Sequence, residues 1–131
     1  MAPPRLIDTG KPIDRKYGYA PATVVERAGL VFISGMVGWD AEGKIADDVE
    51  GQAQQAFRNL ADVLGELGLN ASDVVMETEY VTDMGHYSVI GRVRNAFFGE
   101  HRPAATLVEV KGLFRPGLVF EIQAIAAIRD S

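Results

Sequence analysis

A glutamate between two large apolar residues, in the run FEIQ at 120–123, is a candidate for acid–base chemistry. Successive strand side chains point to opposite faces, so we expect Glu121 to face away from Phe120 and Ile122. If another subunit buries that face, the carboxyl would have a raised pKa and could pass protons to and from a water molecule. From the residues alone, a solvent-facing glutamate without a role is the favoured interpretation.

Other residue types that carry chemistry do not form a recognisable motif. His86 and His101 lie at opposite ends of one predicted helix and cannot form a metal pair within it. Glu77 and Glu79 share one face of a predicted strand, and we interpret them as solvated rather than catalytic. With no cysteine there is no thiolate nucleophile or Cys-ligated zinc. GMVG at 35–38 lacks the lysine and the strand–loop–helix context of a phosphate loop. We therefore expect neither a metal nor a cofactor.

Composition predicts a single domain over residues 1–131, with the 47% hydrophobic and 24% charged residues of a globular protein. No apolar run approaches the roughly 20 residues that cross a bilayer. The N-terminus resembles neither a signal peptide nor a transit peptide, so we expect a cytoplasmic protein without a membrane partner. A formal charge of −5 argues against nucleic acid as a principal partner, because phosphate backbones are bound by clustered Lys and Arg.

The elements that must position these residues follow from periodicity. An i, i+3, i+4, i+7 apolar stripe predicts a helix over 49–67, capped by Asp47 or Asp48 and ended by Gly68, with Gln52 and Asn59 facing solvent. A second helix is predicted at about 85–100, with Tyr87 on its buried side. Strands are predicted at 5–8, 23–27, 30–34, 74–81, 105–110 and 118–128, giving the order β, β-hairpin, α, β, α, β, β.

The strand pattern also predicts an oligomer. Two helices cannot cover both faces of such a sheet, so we expect them on one face. LVFIS at 30–34 and LVFEIQAIAAI at 118–128 nevertheless carry apolar residues on both faces. Large exposed apolar patches are rare on monomers, so the open face is predicted to pack against other copies of the chain.

Seven stretches then occur in a specific order and spacing: YAPA at 19–22, FISG at 32–35, DVEGQAQQAFRNLADVLGELG at 48–68, SDVVMETEYVTDM at 72–84, NAFFGEH at 95–101, RPAATLVEV at 102–110 and FEIQAIA at 120–126. Together they resemble the Rid family, also called the YjgF or L-PSP family, over nearly the whole chain. The resemblance implies the chorismate-mutase-like α+β fold. It further implies a homotrimer with inward-facing sheets and small-molecule pockets between subunits.

The resemblance also implies an activity, from which this chain departs. Active relatives hydrolyse enamines and imines such as 2-aminoacrylate to a ketoacid and ammonia. Their strand after the proline reads Pro-Ala-Arg-Ser, and the arginine grips the substrate carboxylate. Ala105 stands in its place here, and Gly91 replaces a frequent pocket asparagine. Losing one partner of a desolvated pair costs about 2–5 kcal/mol, roughly 30-fold to a few thousand-fold against a carboxylate substrate. Either the substrate lacks that carboxylate or another arginine replaces it: Arg102 first, then Arg94 or Arg115.

Onto the matching positions, the resemblance carries a catalytic role for Glu121 and ligand contacts at Tyr19, Gly35, Gly91, Ala105 and Thr106. Two further ligand contacts are predicted from position alone: Arg102 as the replacement arginine, and Trp39 as a stacking wall at the pocket mouth, although packing over its own hairpin is the commoner outcome for such a tryptophan. Three functions remain open. The first is a divergent imine or enamine hydrolase of the deaminase type. The second is a ligand-binding or regulatory trimer without catalysis. The least favoured function is an endoribonuclease or translation-inhibitor activity, which is described for other relatives. The net negative charge of the chain argues against it.

Overall fold

The computed structural model describes residues 4–129, apart from the side chains at 14 and 15. Its elements are β1 (Arg5–Ile7), α1 (Pro12–Lys16), β2 (Ala22–Val25), β3 (Leu30–Val37), α2 (Val49–Glu66), β4 (Val74–Val81), α3 (Tyr87–Phe98), β5 (Ala104–Glu109) and β6 (Phe120–Ala127). The predicted order is confirmed, with the short helix α1 added. Pro12 opens that helix, a position where its missing N–H is not needed.

One six-stranded mixed sheet has the order β1-β2-β3-β6-β4-β5. All neighbours are antiparallel except β4 and β5, which run parallel and are therefore joined by a crossover through α3. Strand β6 lies between β3 and β4, and Glu121 pairs there with Val37 on one side and Tyr80 on the other. The candidate catalytic residue thus sits on a central strand.

Helices α2 and α3 pack on one face of the sheet, as predicted. The core between the layers includes Phe57 and Leu60 of α2 and Phe120 and Ile122 of β6. The opposite face carries apolar side chains that remain exposed in a single subunit: Phe32, Met76 and Val108. The two-faced apolar pattern of the strands is therefore confirmed, and the α+β fold with it. The oligomer inferred from it stays a prediction.

Helix α2 begins where the sequence predicts, because the Asp48 side chain accepts a hydrogen bond from the Gly51 N–H. The prediction that Gln52 and Asn59 face solvent is wrong, since both are buried. Gln52 donates to the carbonyl of Gly117 at 2.7 Å, and Asn59 donates to the carbonyl of Trp39 at 2.8 Å. The two side-chain amides therefore pair with backbone carbonyls of loops that pack against the helix. Buried carbonyls need such partners because water does not reach them.

Helix α3 begins later than predicted, because a 3₁₀ turn over Met84–His86, capped by Asp83, precedes it. Tyr87 was expected on the buried side, and this is also wrong: the residue is 50% exposed. It lies two turns from Arg94, whose guanidinium carbon is 5.6 Å from the tyrosine ring centroid. Arg94 therefore covers this flank of α3.

Candidate functional site

Glu121 occupies the face of β6 opposite the helices. Its neighbours Phe120 and Ile122 are fully buried beneath α2 and α3, so the predicted alternation is confirmed. The Glu121 side chain is half-buried, and burial raises the pKa of its carboxyl. A carboxyl that holds its proton more tightly than usual is suited to exchanging protons with a bound water molecule.

A cavity of about 340 Å³ lies against Glu121, and its lining includes Tyr19, Ser34, Gly35, Phe114 and Gln123. Three of the residues expected at a ligand site, Tyr19, Gly35 and Glu121, are therefore together. The Ser34 hydroxyl donates to the carbonyl of Ala20 at 2.7 Å and so ties the segment that carries Tyr19 to β3.

Gly35 lies in an irregularity of β3, where the pairing register with β6 shifts between Ile33 and Met36. A Cβ atom at this position would be only 2.0 Å from Glu121 Oε2. A side chain at this position would therefore have to displace the Glu121 carboxyl from its place in the cavity wall.

Changing Gly35 to alanine should displace the Glu121 carboxyl and lower the free energy of unfolding by about 1 kcal/mol, the low end of the effect of overpacking, because the displaced atoms are the end of a flexible side chain beside a cavity. Urea denaturation measures this change. Gly65→Ala is the matched control, because no atom lies within 4 Å of a Cβ built at that position on α2. The control should stabilise the protein by up to about 1 kcal/mol. Equal stability of the Gly35 variant and the native protein would contradict this account.

Trp39 lies behind this cavity. Its buried ring makes a T-shaped contact with Phe114, with 5.2 Å between centroids, and Phe114 lines the cavity itself. Tyr17 stacks on Trp39 at 5.9 Å. Arg115 lies over the Trp39 ring and donates to the carbonyl of Gly43, so it does not reach toward Ala105. Trp39 thus supports the aromatic wall that Phe114 presents.

A second cavity, of about 390 Å³, lies beside Ala105 and is lined also by Glu77, Arg94, His101 and Arg102. Ala105 pairs with Glu77 across β4 and β5, which puts both on the helix-covered face. Within one subunit, the expected ligand residues therefore divide between two cavities on opposite faces of the sheet.

The other two expected positions contribute less. Gly91 is buried on α3, and a Cβ there would lie 3.7 Å from Arg94 Nη1. Thr106 pairs with Thr78 on the open face and is exposed. Neither is among the described residues that line the two cavities.

The prediction that Glu77 and Glu79 are solvated is wrong. Each side chain is only 1% exposed. Strand alternation turns both toward α3, where Arg94 donates from Nε and Nη2 to the two Glu79 oxygens at 2.5 and 2.8 Å. Glu77 Oε1 lies 3.8 Å from Arg94 Nε. The sequence feature that could have predicted this burial is Arg94, on the helix that follows the strand. Its positive charge can pair with a carboxylate, and buried charges need such a partner.

Glu77 is held in its neutral form. Burial, a hydrogen bond to Glu79 and the charge of Glu79 raise the pKa of Glu77 to about 9, and the Arg94 charge offsets only part of this. The hydrogen bond to Glu79 in turn raises the pKa of Arg94 above its usual value. Of the buried side-chain nitrogen and oxygen atoms in residues 4–129, Glu77 Oε2 alone has no hydrogen-bond partner.

The stability of the protein should fall between about pH 5 and pH 9. Over this range the folded state keeps the Glu77 proton and the unfolded state has lost it, so the unfolding free energy decreases by at most about 1.4 kcal/mol per pH unit. The raised pKa of Glu121 acts in the same direction. Glu77→Gln should flatten the decline in urea titrations at pH 6, 7.5 and 9, whereas Glu50→Gln, on the surface, should not. A native stability that increases over this range would refute the assignment.

Among the side chains that the structure describes within residues 4–129, which leave out those at 14 and 15, no three from His, Asp or Glu are grouped so that they could hold a metal ion. The helices described there include none that is long and apolar enough to span a bilayer.

Comparison with known proteins agrees with the fold. Residues 11–128 match the family model described as Endoribonuclease L-PSP. The Salmonella typhimurium 2-iminobutanoate/2-iminopropanoate deaminase is 33% identical over 120 residues, 84% of this chain and 93% of that protein. A YjgF/YER057c/UK114 family structure from Mycobacterium tuberculosis is 32% identical with a TM-score of 0.82, covering 96% of this chain and all (100%) of that one.

A structure of E. coli TdcF with bound serine superposes with a TM-score of 0.84 at 28% identity, covering 94% of this chain and 98% of that one. The matched region contains both cavities and every element of the sheet from β2 to β6. The chain therefore belongs to the Endoribonuclease L-PSP family, which is the Rid or YjgF family that its sequence motifs resemble.

Proposed function

We propose that this protein hydrolyses a small imine or enamine that presents no carboxylate to Ala105. The observation that carries the proposal is the Glu121 carboxyl, whose pKa is raised by burial and which lines a cavity with Tyr19 and Gly35. The name of the Salmonella relative, an iminobutanoate and iminopropanoate deaminase, supports the reaction type.

Glu121 moves the proton in the proposed reaction. Water adds to the carbon of the C=N bond, Glu121 accepts a proton from that water, and the carboxyl returns a proton to the nitrogen. The tetrahedral adduct then collapses to a carbonyl compound, and ammonia leaves from an imine that carries N–H. A carboxyl with a raised pKa serves both transfers, because its pKa lies nearer the operating pH.

The absence of a carboxylate from the substrate follows from what the arginines near Ala105 do. Arg94 is occupied by Glu79, and Arg115 lies over Trp39. Arg102 lines the Ala105 cavity but is exposed, so water screens its charge. These three arginines therefore do not offer a buried guanidinium that could form two hydrogen bonds with a substrate carboxylate.

We further propose that the protein works as a homotrimer in which the open sheet faces pack together. Phe32, Met76 and Val108 are exposed on that face in one subunit, and burying them would stabilise the assembly. The Glu121 cavity opens on the same face, so a neighbouring copy would help to close it. Because Ala105 lines a separate cavity of its own subunit, the proposed function requires the Ala105 that meets the substrate to come from that neighbouring copy. Analytical ultracentrifugation should give three times the 14.2 kDa chain mass. A monomer would contradict the assembly.

Two imines test the function. An amine oxidase acting on ethylamine supplies an uncharged imine, and an amino-acid oxidase acting on alanine supplies iminopyruvate. We expect the native protein to accelerate loss of the uncharged imine, trapped with semicarbazide, and to act more slowly on iminopyruvate, for which an arginine at position 105 would raise the rate roughly 30-fold or more. Ala105→Arg should reverse this preference, and Arg102→Ala should leave it unchanged.

Fast hydrolysis of iminopyruvate by the native protein would show that Arg102 or another group holds the carboxylate after all. Inertness toward both imines would remove the hydrolase proposal and favour a ligand-binding trimer. Ribonuclease activity is not proposed, because Arg92 is paired with Glu50 and Arg94 with Glu79 on a chain of charge −5.

A further inference from the structure

The cavity beside Ala105 contains an unsatisfied polar group. Glu77 lines this space of about 390 Å³, is 1% exposed, and leaves Oε2 without a hydrogen-bond partner in residues 4–129. Buried polar atoms are nearly always paired, and leaving one unpaired costs about 1–3 kcal/mol. An unpaired carboxyl oxygen on a side chain that lines a cavity therefore points to a ligand group that donates a hydrogen bond.

We propose that this cavity binds a small organic cation with N–H donors, a primary ammonium or amidinium group, through the carboxyl of Glu77. The buried cluster contains two carboxyl groups, Glu77 and Glu79, against the single guanidinium of Arg94. Arg94 is committed to Glu79 by two hydrogen bonds. In the free protein the second carboxyl is neutralised by its own proton, and a ligand cation could take the place of that proton.

The other groups that face Glu77 supply no buried cation that could replace its proton. Its strand neighbours are uncharged, Ala105 on β5 and Ala124 on β6. His101 uses Nε2–H to donate to the carbonyl of Val74 at 2.7 Å, since a carbonyl can only accept. Arg102 also lines the cavity, but its exposed head group extends into water, where screening weakens its repulsion of a cation.

Binding of the cation is coupled to loss of a proton. In the free protein the Glu77 proton lies in the hydrogen bond to Glu79. When the ligand arrives, that proton leaves to solvent, and an N–H of the ligand donates to Glu77 in its place. The affinity for the cation should therefore increase with pH up to about pH 9, where Glu77 ionises without help.

This inference concerns binding alone and does not depend on the proposed hydrolase. A protein inert toward imines but able to bind the cation would refute the function and keep the site. The reverse result would refute the site and keep the function.

Ethylammonium chloride is the probe, titrated into the full protein at constant ionic strength and followed by backbone amide shifts of Arg94 and Ala105. We expect the apparent Kd to fall about tenfold from pH 7 to pH 8, because the ligand competes with one proton. Tetramethylammonium, which lacks N–H donors, and neutral acetamide should each shift these signals at least tenfold less at equal concentration. Equal binding of acetamide, a pH-independent Kd, or no shift at 100 mM ethylammonium would overturn the proposal.

Three variants locate the site. Glu77→Gln copies the neutral form of the residue and should abolish the pH-dependent binding without unfolding the protein. Ala105→Leu should fill the cavity and weaken binding at least tenfold while leaving all the charges in place. Glu50→Gln removes an exposed carboxyl that pairs with Arg92 and should change nothing. Unchanged binding by both Glu77→Gln and Ala105→Leu would place the cation elsewhere and overturn the assignment.

Discussion

Replacing Glu121 with glutamine is expected to lower kcat for the uncharged imine by about 10²–10⁴-fold, the usual contribution of a positioned acid–base group. Glutamine keeps the size of the side chain but can neither accept nor return the proton of the attacking water. The variant should be at least as stable as the native protein at neutral and higher pH. The reason is that burial raises the pKa of Glu121 and so disfavours its charged form.

The same cavity offers a matched control for this experiment. Gln123 lies two residues further along β6 on the same face and accepts a hydrogen bond from the Tyr80 hydroxyl at 3.1 Å. The double variant Glu121→Gln/Gln123→Glu keeps a carboxyl in the cavity but moves it along the strand. We expect no recovery of kcat. Recovery by the displaced carboxyl would show that the charge of the cavity, rather than the position of Glu121, supports the reaction.

The largest effect on stability is expected for Arg94→Met. This change leaves Glu79 buried at 1% exposure without the guanidinium that holds both of its oxygens. Breaking a buried pair in this way costs about 3–5 kcal/mol. Because whole domains are stable by only about 5–15 kcal/mol, the variant should be close to unfolding at 37 °C. Urea denaturation at pH 7 measures the loss.

Arg92→Met, on the same helix, is the matched control. Arg92 contacts Glu50 at 3.3 Å with both side chains well exposed, and exposed pairs contribute about 0–1 kcal/mol. The double variant Arg94→Met/Glu79→Gln should recover much of the stability lost in Arg94→Met, since no unpaired charge remains. Equal effects of the two arginine replacements would mean that the Glu79 pair does not need its partner.

The elements of this fold could be predicted because their periodicities are local. The apolar stripe of α2 and the alternation along β6 depend on residues close in sequence, and they placed Glu121 on the correct face. The burial of Glu77 could not be predicted in this way. It depends on Arg94, which α3 carries back over β4, and a polar residue on a strand otherwise indicates solvent.

The candidate site shows the same division between local and distant information. The sequence motifs predicted Tyr19, Gly35 and Glu121 as ligand-site residues, and the three line one cavity. They did not separate Ala105 from Glu121, because nothing in the motifs states on which sheet face each strand presents its side chain to a ligand. Pairing of Ala105 with Glu77 decides this, and that pairing joins distant parts of the chain.

The central place of β6 has a consequence for how the protein folds. Strands β1, β2 and β3 pair with one another, and β4 pairs with β5, but these two groups are joined in the sheet only through β6. A growing chain can therefore form each group early, whereas the ladder that unites them waits for residues 120–127. Long-range pairings of this kind slow folding. Until they form, two open strand edges are exposed to other nascent chains, which makes this interval the one in which the protein is most prone to aggregate.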